Sequence, residues 1–520
     1  MKTNGVAKAA LAVGLSATAL AQTSCDKVLV PSYNLPVVAA GWQAQLIAGE
    51  LTKPRSLQFD SSGALLVVES GKGITHHTLK DNGGTCISVS ESKTLIDEKT
   101  LNHGIALSKD GKTLYASSAS AVYAWDYDSK AGTVSGKREI VTNMSNNDLV
   151  TRTLLLSQKE DGYLLVSRGS ADGNEAQAEV LTNGLSQIRA FDISNMTSST
   201  KAYNYNEDGI VLGWGLRNSV GVGEHPITGG IYAVENSIDG VTRNGKDIHE
   251  NNPGEELNFF GYLNGTKIFP DQGGNFGYPK CFAVWDVSEI PENDYNLKIG
   301  SQFAITEEEN ARTVSGNKLT DETCASDYVS PRLTFPAHYA PMDIKFAPKG
   351  DVAYVTFRGS FDKTDPVGYR LSAISFDSVT GEPTVSAENS RDALQQHVMM
   401  NKDNSVCPDE CFRPVGMALD SSERLWMTSD STGEIYVLMK RKTEEENPTT
   451  TTTENGTIVT GTGTGSGSES SPSATGKGKD DDDDENAAGR LLGGGGGGGW
   501  ETRALMWAGV VGVAGVLALV

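Results

Sequence analysis

The sequence has fewer basic than acidic residues and lacks the motifs by which proteins bind nucleotides. Lysine and arginine number 44 against 66 aspartates and glutamates, so the formal net charge is −22 at neutral pH. Such a chain lacks the basic face that nucleic-acid backbones require. It also has no Walker loop, no dinucleotide fingerprint opening a helix and no cysteine–histidine metal motif. These absences argue against nucleic acid as a partner and against nucleotide cofactors.

Cysteine is scarce, with six residues among 520, but its context is informative. Residues 1–21 have the form of a secretory signal peptide, in which lysines precede an apolar run that ends in small residues. In an oxidising compartment we expect all six cysteines to pair, although six cysteines allow fifteen arrangements. The pairs that we predict are Cys25–Cys86, Cys281–Cys324 and Cys407–Cys411.

The C-terminal part of the chain differs in composition from the rest. Residues 443–503 are rich in Thr, Ser, Gly and Asp, which predicts a disordered stalk and spacer. Residues 504–520 are apolar to the last position and typical of a glycosylphosphatidylinositol (GPI) signal, with a plain transmembrane anchor as the alternative. N-glycosylation sequons stand at Asn143, Asn195, Asn264 and Asn455. The sequence therefore predicts a secreted, glycosylated protein held at the cell surface by a lipid.

Between these ends, in residues 22–442, one pattern occurs six times. An apolar–x–apolar triplet is followed by a turn rich in Gly or Asp and by an alternating apolar strand. The copies begin at Leu57, Ile105, Leu154, Val220, Ile344 and Met417. Each copy predicts a β-hairpin, and hairpins repeated at such intervals indicate a propeller. We predict an all-β, six-bladed β-propeller with one long inserted loop region, whose acidic stretch 247–256 suits either Ca²⁺ or solvent.

The hairpin ends carry most of the residues that could do chemistry. In an antiparallel hairpin the start of the first strand and the end of the second lie side by side, so six such ends converge on one face. The residues at these ends are Arg55, Glu69, His103, Arg152, Arg168, Arg217, Asn218, Glu235, Asn236, Arg358, Arg413 and Asp430. Arginines gathered at one mouth of an acidic chain predict a small anionic ligand. The alternative is that they brace loops against carboxylates.

Six short motifs resemble, in their order along the chain, the soluble quinoprotein glucose/sorbosone dehydrogenases. They are 151–155 (TRTLL), 186–191 (SQIRAF), 215–218 (GLRN), 235–237 (ENS), 274–279 (GNFGYP) and 411–414 (CFRP). Together they look most like the fungal pyranose dehydrogenases that use pyrroloquinoline quinone (PQQ). The resemblance implies a six-bladed propeller that binds PQQ and Ca²⁺ and oxidises an aldose or pyranose at the anomeric carbon. It also implies an external electron acceptor, for which it suggests a cytochrome or a copper monooxygenase.

The resemblance implies roles for the residues of the mouth. Arg217 matches the arginine that binds the reactive quinone carbonyl, with Asn218 beside it, and Arg358 and Arg413 match positions that hold cofactor carboxylates. The other arginines expected around the cofactor are Arg55, Arg152 and Arg168. The loop that supplies Ca²⁺ ligands corresponds to Glu235, Asn236 and Ser237.

The general base of the family is missing from its usual place. A histidine would precede the strand that begins at Thr151, where this chain has residues 147–150 (NDLV). Either Asp148 is the base, or His103 reaches in from the neighbouring blade. Two other functions stay open. One is a Ca²⁺-dependent lactonase or hydrolase, which would need carboxylates at the axis, and the other is a non-catalytic cell-surface binding propeller.

Overall fold

The structure is a computed structural model, and it describes residue 25 and residues 28–171, 175–197, 199–265, 267–293, 295–305, 319–361 and 363–441. The predicted signal peptide (1–21), the stalk and spacer (443–503), the apolar tail (504–520) and the sequon at Asn455 lie outside these residues. Among the residues described, no helix is both long enough and apolar enough to span a membrane.

The first three blades follow one another along the chain. Blade 1 consists of Pro54–Phe59, Leu65–Glu69, Gly73–Asp81 and Ile87–Asp97. Blade 2 consists of Leu101–Leu107, Thr113–Ser118, Val122–Asp128 and Thr133–Thr142, and Tyr203–Asn204 adds a short parallel strand at its outer edge. Blade 3 consists of Leu154–Leu156, Tyr163–Arg168, Gln187–Asp192 and Ile210–Trp214.

The last three blades complete the ring. Blade 4 consists of Ser219–Glu224, Gly230–Glu235, Glu255–Tyr262 and Leu333–Phe335. Blade 5 consists of Pro341–Phe346, Val352–Phe357, Arg370–Ser375 and His397–Met400, with Val37–Val38 at its edge. Blade 6 consists of Pro414–Leu419, Leu425–Ser429 and Glu434–Lys440, and its outermost strand is the N-terminal Trp42–Ala48. Pairing the N-terminal strand with the last one closes the circle.

The six first strands surround the axis, and each contacts the first strand of the next blade, with blade 6 returning to blade 1. All six predicted hairpins are present as the first two strands of the six blades, in registers such as Leu57 opposite Val67 and Ile344 opposite Val355. The prediction of a six-bladed, all-β propeller is therefore confirmed.

Packing between blades explains why each second strand has consecutive apolar residues at its centre. Residues 65–68 of blade 1 are fully buried. Leu66 and Val68 pack toward blade 2, whereas Leu65 and Val67 pack toward Trp426 of blade 6. Successive side chains of a strand point to opposite faces, and both faces of a blade are covered. Burial of each such side chain contributes about 1.5–3 kcal/mol to stability.

The predicted insertion belongs to blade 4, but it is divided: residues 263–332 lie between the third and fourth strands, whereas the acidic stretch 247–256 precedes the third strand and forms its start. It holds the two-stranded ribbon of Cys281–Ala283 and Gln302–Ala304, the helix Asp321–Asp327 and the disulfide Cys281–Cys324. Cys25–Cys86 and Cys407–Cys411 are also bonded, so all three predicted disulfides are confirmed. The remaining elements are the ribbon Thr242–Arg243 with Lys246–Asp247, the short helices Glu175–Ala178 and Ser390–Ala393, and the 3₁₀ turns Leu181–Asn183, Val287–Glu289, Ala387–Asn389 and Asn404–Val406.

Candidate functional site

The predicted pairing of hairpin ends is visible in the backbone at one end of the axis. Ser219 lies opposite Glu235 in blade 4, and Pro414 lies opposite Ser429 in blade 6. In blade 6 the N–H of Asp430 donates to the Arg413 carbonyl at 3.2 Å. Residues at the start of the first strands and residues at the end of the second strands therefore lie on one face of the propeller, which we call the mouth.

Arg55, Arg358, Arg413 and Asp430, from blades 1, 5 and 6, form a buried group that we call the arginine cluster. The Arg55 guanidinium donates to Asp430 Oδ2. Arg358 Nε lies 3.0 and 3.1 Å from the two oxygens of the same carboxylate. Arg413 donates to the carbonyls of Arg358 and Gly359 at 3.3 and 3.2 Å. Three guanidinium groups held in one buried cluster favour an anionic ligand with carboxylate-like oxygens.

His103 joins the arginine cluster through its ring. Arg55 Nε donates to His103 Nδ1 at 3.3 Å, and the histidine is 2 % exposed. Burial, followed by the charges of Arg55 and Lys345, holds the pKa of His103 well below its ordinary value. An arginine is always a donor, so the neutral ring carries its hydrogen on Nε2. A ring in this state donates a hydrogen bond at Nε2 and has no basic nitrogen left to take a proton.

Asp148, the other predicted base, lies on the loop that leads into blade 3. Its Oδ1 accepts the N–H of Leu149 at 2.8 Å. Leu149 and Asn218 both lie next to Gly169. A Cβ atom placed on Gly169 would be 2.8 Å from Asn218 Oδ1 and 3.1 Å from the Leu149 carbonyl oxygen. The loop of Asp148 therefore runs beside Asn218 at the mouth.

Arg217 is held by the backbone of blade 4. Gly215 precedes it with φ +67°, and a Cβ there would stand 1.9 Å from Asn275 Oδ1, so the turn requires glycine. The Arg217 N–H donates to Glu235 Oε1 at 2.5 Å, and its Nη1 donates to the Ser237 carbonyl at 2.7 Å. Its Nη2 lies 3.7 Å from Asp239 Oδ2.

Asn218 is 1 % exposed and has an unpaired donor. Its carbonyl accepts the N–H of Asn236 at 3.0 Å. Its side-chain Nδ2 has no hydrogen-bond partner among the described residues. A buried donor without a partner is costly, so an acceptor on a bound ligand would stabilise this position.

Arg152 and Arg168 are engaged elsewhere. Arg152 is fully buried, and its guanidinium donates to the carbonyls of Met144, Leu149 and Thr151 and to the Asn146 side chain. Arg168 donates to the carbonyl of Ser145 at 2.9 Å and to Asn206 Oδ1 at 2.8 Å. Both side chains therefore brace the loop of Asp148, and the structure does not bring them to the arginine cluster. They brace loops, as the alternative held, but against carbonyl and amide oxygens and not against carboxylates.

Blade 4 contributes buried acids at the mouth. Burial and then repulsion from Glu256 raise the pKa of Glu235 well above its ordinary value. Burial raises the pKa of Glu255 and of Glu256 to about 7. Glu255 accepts the N–H groups of Ser237 and Ala340 at 2.7 and 3.0 Å, so it ties two mouth loops together.

The predicted Ca²⁺ ligands are mostly engaged with protein groups. The Glu235 carboxylate accepts from Arg217 and from Asn258 Nδ2, and the Ser237 carbonyl accepts from Arg217. The buried Oδ1 of Asn236 has no hydrogen-bond partner among the residues that the structure describes. In the part of the chain that the structure describes, no group of three or more His, Cys, Asp or Glu side chains is arranged to hold a metal ion.

His338 is a mouth residue that the motifs did not indicate. It precedes the first strand of blade 5 and has φ +65°. Its Nδ1 lies 3.1 Å from Asp239 Oδ1, and its Nε2 lies 2.6 Å from the His249 carbonyl. Burial alone would lower the pKa of His338, but the hydrogen bond and charge of Asp239 outweigh it and raise the pKa. The sequence could have indicated His338 only by its position before the fifth hairpin, where none of the six motifs lies.

Fold and mouth together define a six-bladed propeller that gathers arginines, an unpaired amide and a His–Asp pair at one end of its axis. The chain belongs to the TrAA12-like family, whose model matches residues 36–441. It is 46% identical over 433 residues to a PQQ-dependent sugar dehydrogenase of Hypocrea jecorina (strain QM6a), covering 83% of this chain and 95% of that protein. It is 34% identical over 432 residues to a PQQ-dependent pyranose dehydrogenase of Coprinopsis cinerea, covering 80% of this chain and 56% of that protein.

Solved structures agree with this assignment. The calcium structure of the Trichoderma reesei family AA12 enzyme matches with a TM-score of 0.75 and 47% identity, over 80% of this chain and all of that one. The holo form of the pyranose dehydrogenase PQQ domain from Coprinopsis cinerea matches with a TM-score of 0.72 and 32% identity, over 80% of this chain and 99% of that one. The resemblance read from the six motifs is thereby confirmed.

Proposed function

We propose that this protein is a PQQ-dependent dehydrogenase that oxidises an aldose or pyranose at the anomeric carbon and passes the electrons to an external acceptor. The observation that carries the proposal is the arginine cluster, in which three blades contribute buried guanidinium groups to one mouth. The names of the two curated relatives, a sugar and a pyranose dehydrogenase, support the same reading.

The residues present fit PQQ. It is a flat o-quinone with three carboxylates, and when bound it supplies the two-electron acceptor for sugar oxidation. Arg55, Arg358 and Arg413 would hold its carboxylates, because guanidinium groups bind planar oxyanions in a bidentate manner. The unpaired Nδ2 of Asn218 would donate to one of its oxygens.

Arg217 has a different role in this proposal. It would point its guanidinium at the oxygen on which negative charge develops during oxidation, and a preorganised donor there lowers the barrier. The Ser237 carbonyl and Asp239 hold the Arg217 side chain, while Glu235 holds its backbone. Arg217→Ala is therefore expected to reduce kcat more than it reduces affinity for PQQ.

Calcium is the second cofactor of the proposal. The support is the calcium structure of the Trichoderma reesei relative and the unpaired Asn236 Oδ1 beside the mouth. The side chain of Glu235 and the carbonyl of Ser237 would first have to release Arg217 or Asn258. We therefore assign Asn236 alone as a candidate ligand. Calcium-dependent protection against thermal unfolding that Asn236→Ala abolishes would support this assignment.

The test is a titration of apo-protein with PQQ, followed by dye reduction with aldoses. Losing one charged partner of a cofactor carboxylate is expected to weaken binding by about 1.5–3 kcal/mol, or roughly ten- to a hundredfold, in Arg413→Ala and Arg358→Ala. Arg138→Ala, which removes an arginine paired with an exposed aspartate in blade 2, is the matched control and should bind PQQ normally. An apo-protein that takes up no PQQ at high micromolar concentration would refute the proposal and favour a binding propeller.

The external acceptor and the cell-surface location are proposals that rest on the sequence. The resemblance suggests a cytochrome or a copper monooxygenase as acceptor, and a purified protein of either kind can replace the dye in the same assay. For the location, Asn143 and Asn195 are exposed and open to glycosylation. Phosphatidylinositol-specific phospholipase C should release a GPI-anchored protein from cells. Retention after treatment, with an intact C-terminus by mass spectrometry, would count against the lipid anchor.

A further inference from the structure

Oxidation of an anomeric hydroxyl needs a group that takes its proton, and His103 in its present ring state does not provide one. His103 uses Nδ1 to accept from Arg55, which leaves the hydrogen on Nε2. Asp148 stays a predicted base, since its Oδ1 accepts the N–H of the next residue and its carboxylate keeps further lone pairs that can take a proton. His338, which precedes the first strand of blade 5, is a further histidine of the mouth.

His338 shares a carboxylate with Arg217. One oxygen of Asp239 lies 3.1 Å from His338 Nδ1, and the other lies 3.7 Å from Arg217 Nη2. The side chains of His338 and Asp239 are 4% and 3% exposed. A buried histidine whose Nδ1 is held by a carboxylate presents Nε2 in a fixed direction, which is the arrangement of general bases in hydrolytic triads. The pair thus aligns a proton acceptor with the residue assigned to the developing charge.

In the arrangement seen here His338 Nε2 is a donor, because its partner is a carbonyl oxygen, and it can accept a proton only after it has lost this hydrogen. It lies 2.6 Å from the backbone carbonyl of His249. That carbonyl belongs to a segment held by Lys363, which donates to the Glu250 carbonyl, and by Thr364, whose hydroxyl donates to the Glu250 carboxylate at 2.6 Å. A substrate hydroxyl oxygen that replaced this carbonyl oxygen as the partner of Nε2 would require these contacts to release residues 249–251.

We propose that His338, oriented by Asp239, accepts the proton of the anomeric hydroxyl, and that the His249 carbonyl stands where that hydroxyl oxygen binds. The inference rests on the proposed function. The O–H bond breaks and its proton goes to His338 Nε2. The anomeric C–H bond breaks with its electron pair, the hydride goes to the quinone, and the cyclic sugar becomes the lactone.

The charges around His338 determine the pH at which it can act. Asp239 and Glu255 face the ring from blade 4, the His249 ring lies 6.2 Å away, and Arg217 reaches it through Asp239. The two acids stabilise the protonated ring. Below its raised pKa His338 is protonated and cannot accept a proton, so the rate should rise as the pH rises through that pKa.

The first experiment needs no cofactor. Apo-protein labelled with ¹³C at histidine Cε1 is titrated by NMR, in wild type, His338→Asn and Asp239→Asn. Asparagine is chosen because it tolerates the positive φ of this position. One of the seven histidine signals should titrate above the ordinary histidine value, disappear in His338→Asn and move to lower pH in Asp239→Asn. A His338 signal that titrates at or below the ordinary value would overturn the proposal.

The second experiment uses PQQ-loaded protein. His338→Asn should lower kcat by on the order of 10²–10⁴ and remove the rise with pH, while PQQ affinity is retained. The matched control, His397→Gln on the fourth strand of blade 5, should leave both unchanged. Normal PQQ uptake with full kcat in His338→Asn would overturn this inference alone. Absence of PQQ uptake in wild type would instead overturn the proposed function, and the inference with it.

Discussion

Asp430→Asn is the most informative single substitution in the arginine cluster. Asp430 is 6 % exposed and accepts from Arg55 of blade 1 and from Arg358 of blade 5, although it belongs to blade 6. Asparagine keeps the size of the side chain and one acceptor oxygen, but it removes the charge and replaces the second acceptor with an NH2 donor. Both arginines then stay buried near a neutral amide, and three blades lose their shared ion pair.

The magnitude follows from burial. Removing one partner of a buried ion pair costs about 3–5 kcal/mol, because the remaining charge stays in a medium of low polarity. For a domain of roughly 400 residues this corresponds to a decrease in Tm of about 4–6 °C. The same substitution at an exposed pair should cost about 0–1 kcal/mol. Asp126 provides that pair, since it lies 2.9 Å from Arg138 and its side chain is 65% exposed.

The assay is thermal and urea-induced unfolding of wild type, Asp430→Asn and Asp126→Asn at one ionic strength and one scan rate. We expect a large loss of stability for the first variant and almost none for the second. If the free energy of unfolding of both variants falls by less than about 1 kcal/mol, the buried ion pair does not hold the three blades together.

Three further predictions concern blade 4 and the disulfides. Gly215→Ala should lower the free energy of unfolding by about 1–3 kcal/mol. Gly245 also has a positive φ but has open space around it, so Gly245→Ala should lower it less. Equal losses of the two variants in urea unfolding would contradict this prediction. The pKa of Glu255 is raised to about 7 by burial, so its contribution to stability is full below the ordinary value of 4.5 and is lost as pH rises through 7. Glu255→Gln should flatten that decline in unfolding experiments without calcium, and an unchanged slope would rule out this origin. Thiol labelling of the denatured, unreduced protein should find no free cysteine, and any labelled residue would contradict the three disulfides.

The sequence by itself determined the architecture, because a blade is a local structure. Each hairpin needs only a period-2 apolar pattern and a turn within about twenty residues, and these signals do not depend on distant parts of the chain. The gap before the fifth hairpin placed the insertion in blade 4, and the six motifs indicated the family that the comparisons confirm. The convergence of Arg55, Arg358 and Arg413 also followed, since hairpin ends must share a face.

Only the tertiary structure decided what each mouth residue does, because hydrogen-bond partners come from distant loops. Arg152 and Arg413 occupy equivalent places before their first strands, yet one binds the carbonyls of its own loop and the other joins the arginine cluster. His103 and His338 differ in the same way: an arginine donates to one ring, whereas a carboxylate accepts from the other. Asp239 lies 99 residues from His338 along the chain, and no local pattern could have paired them.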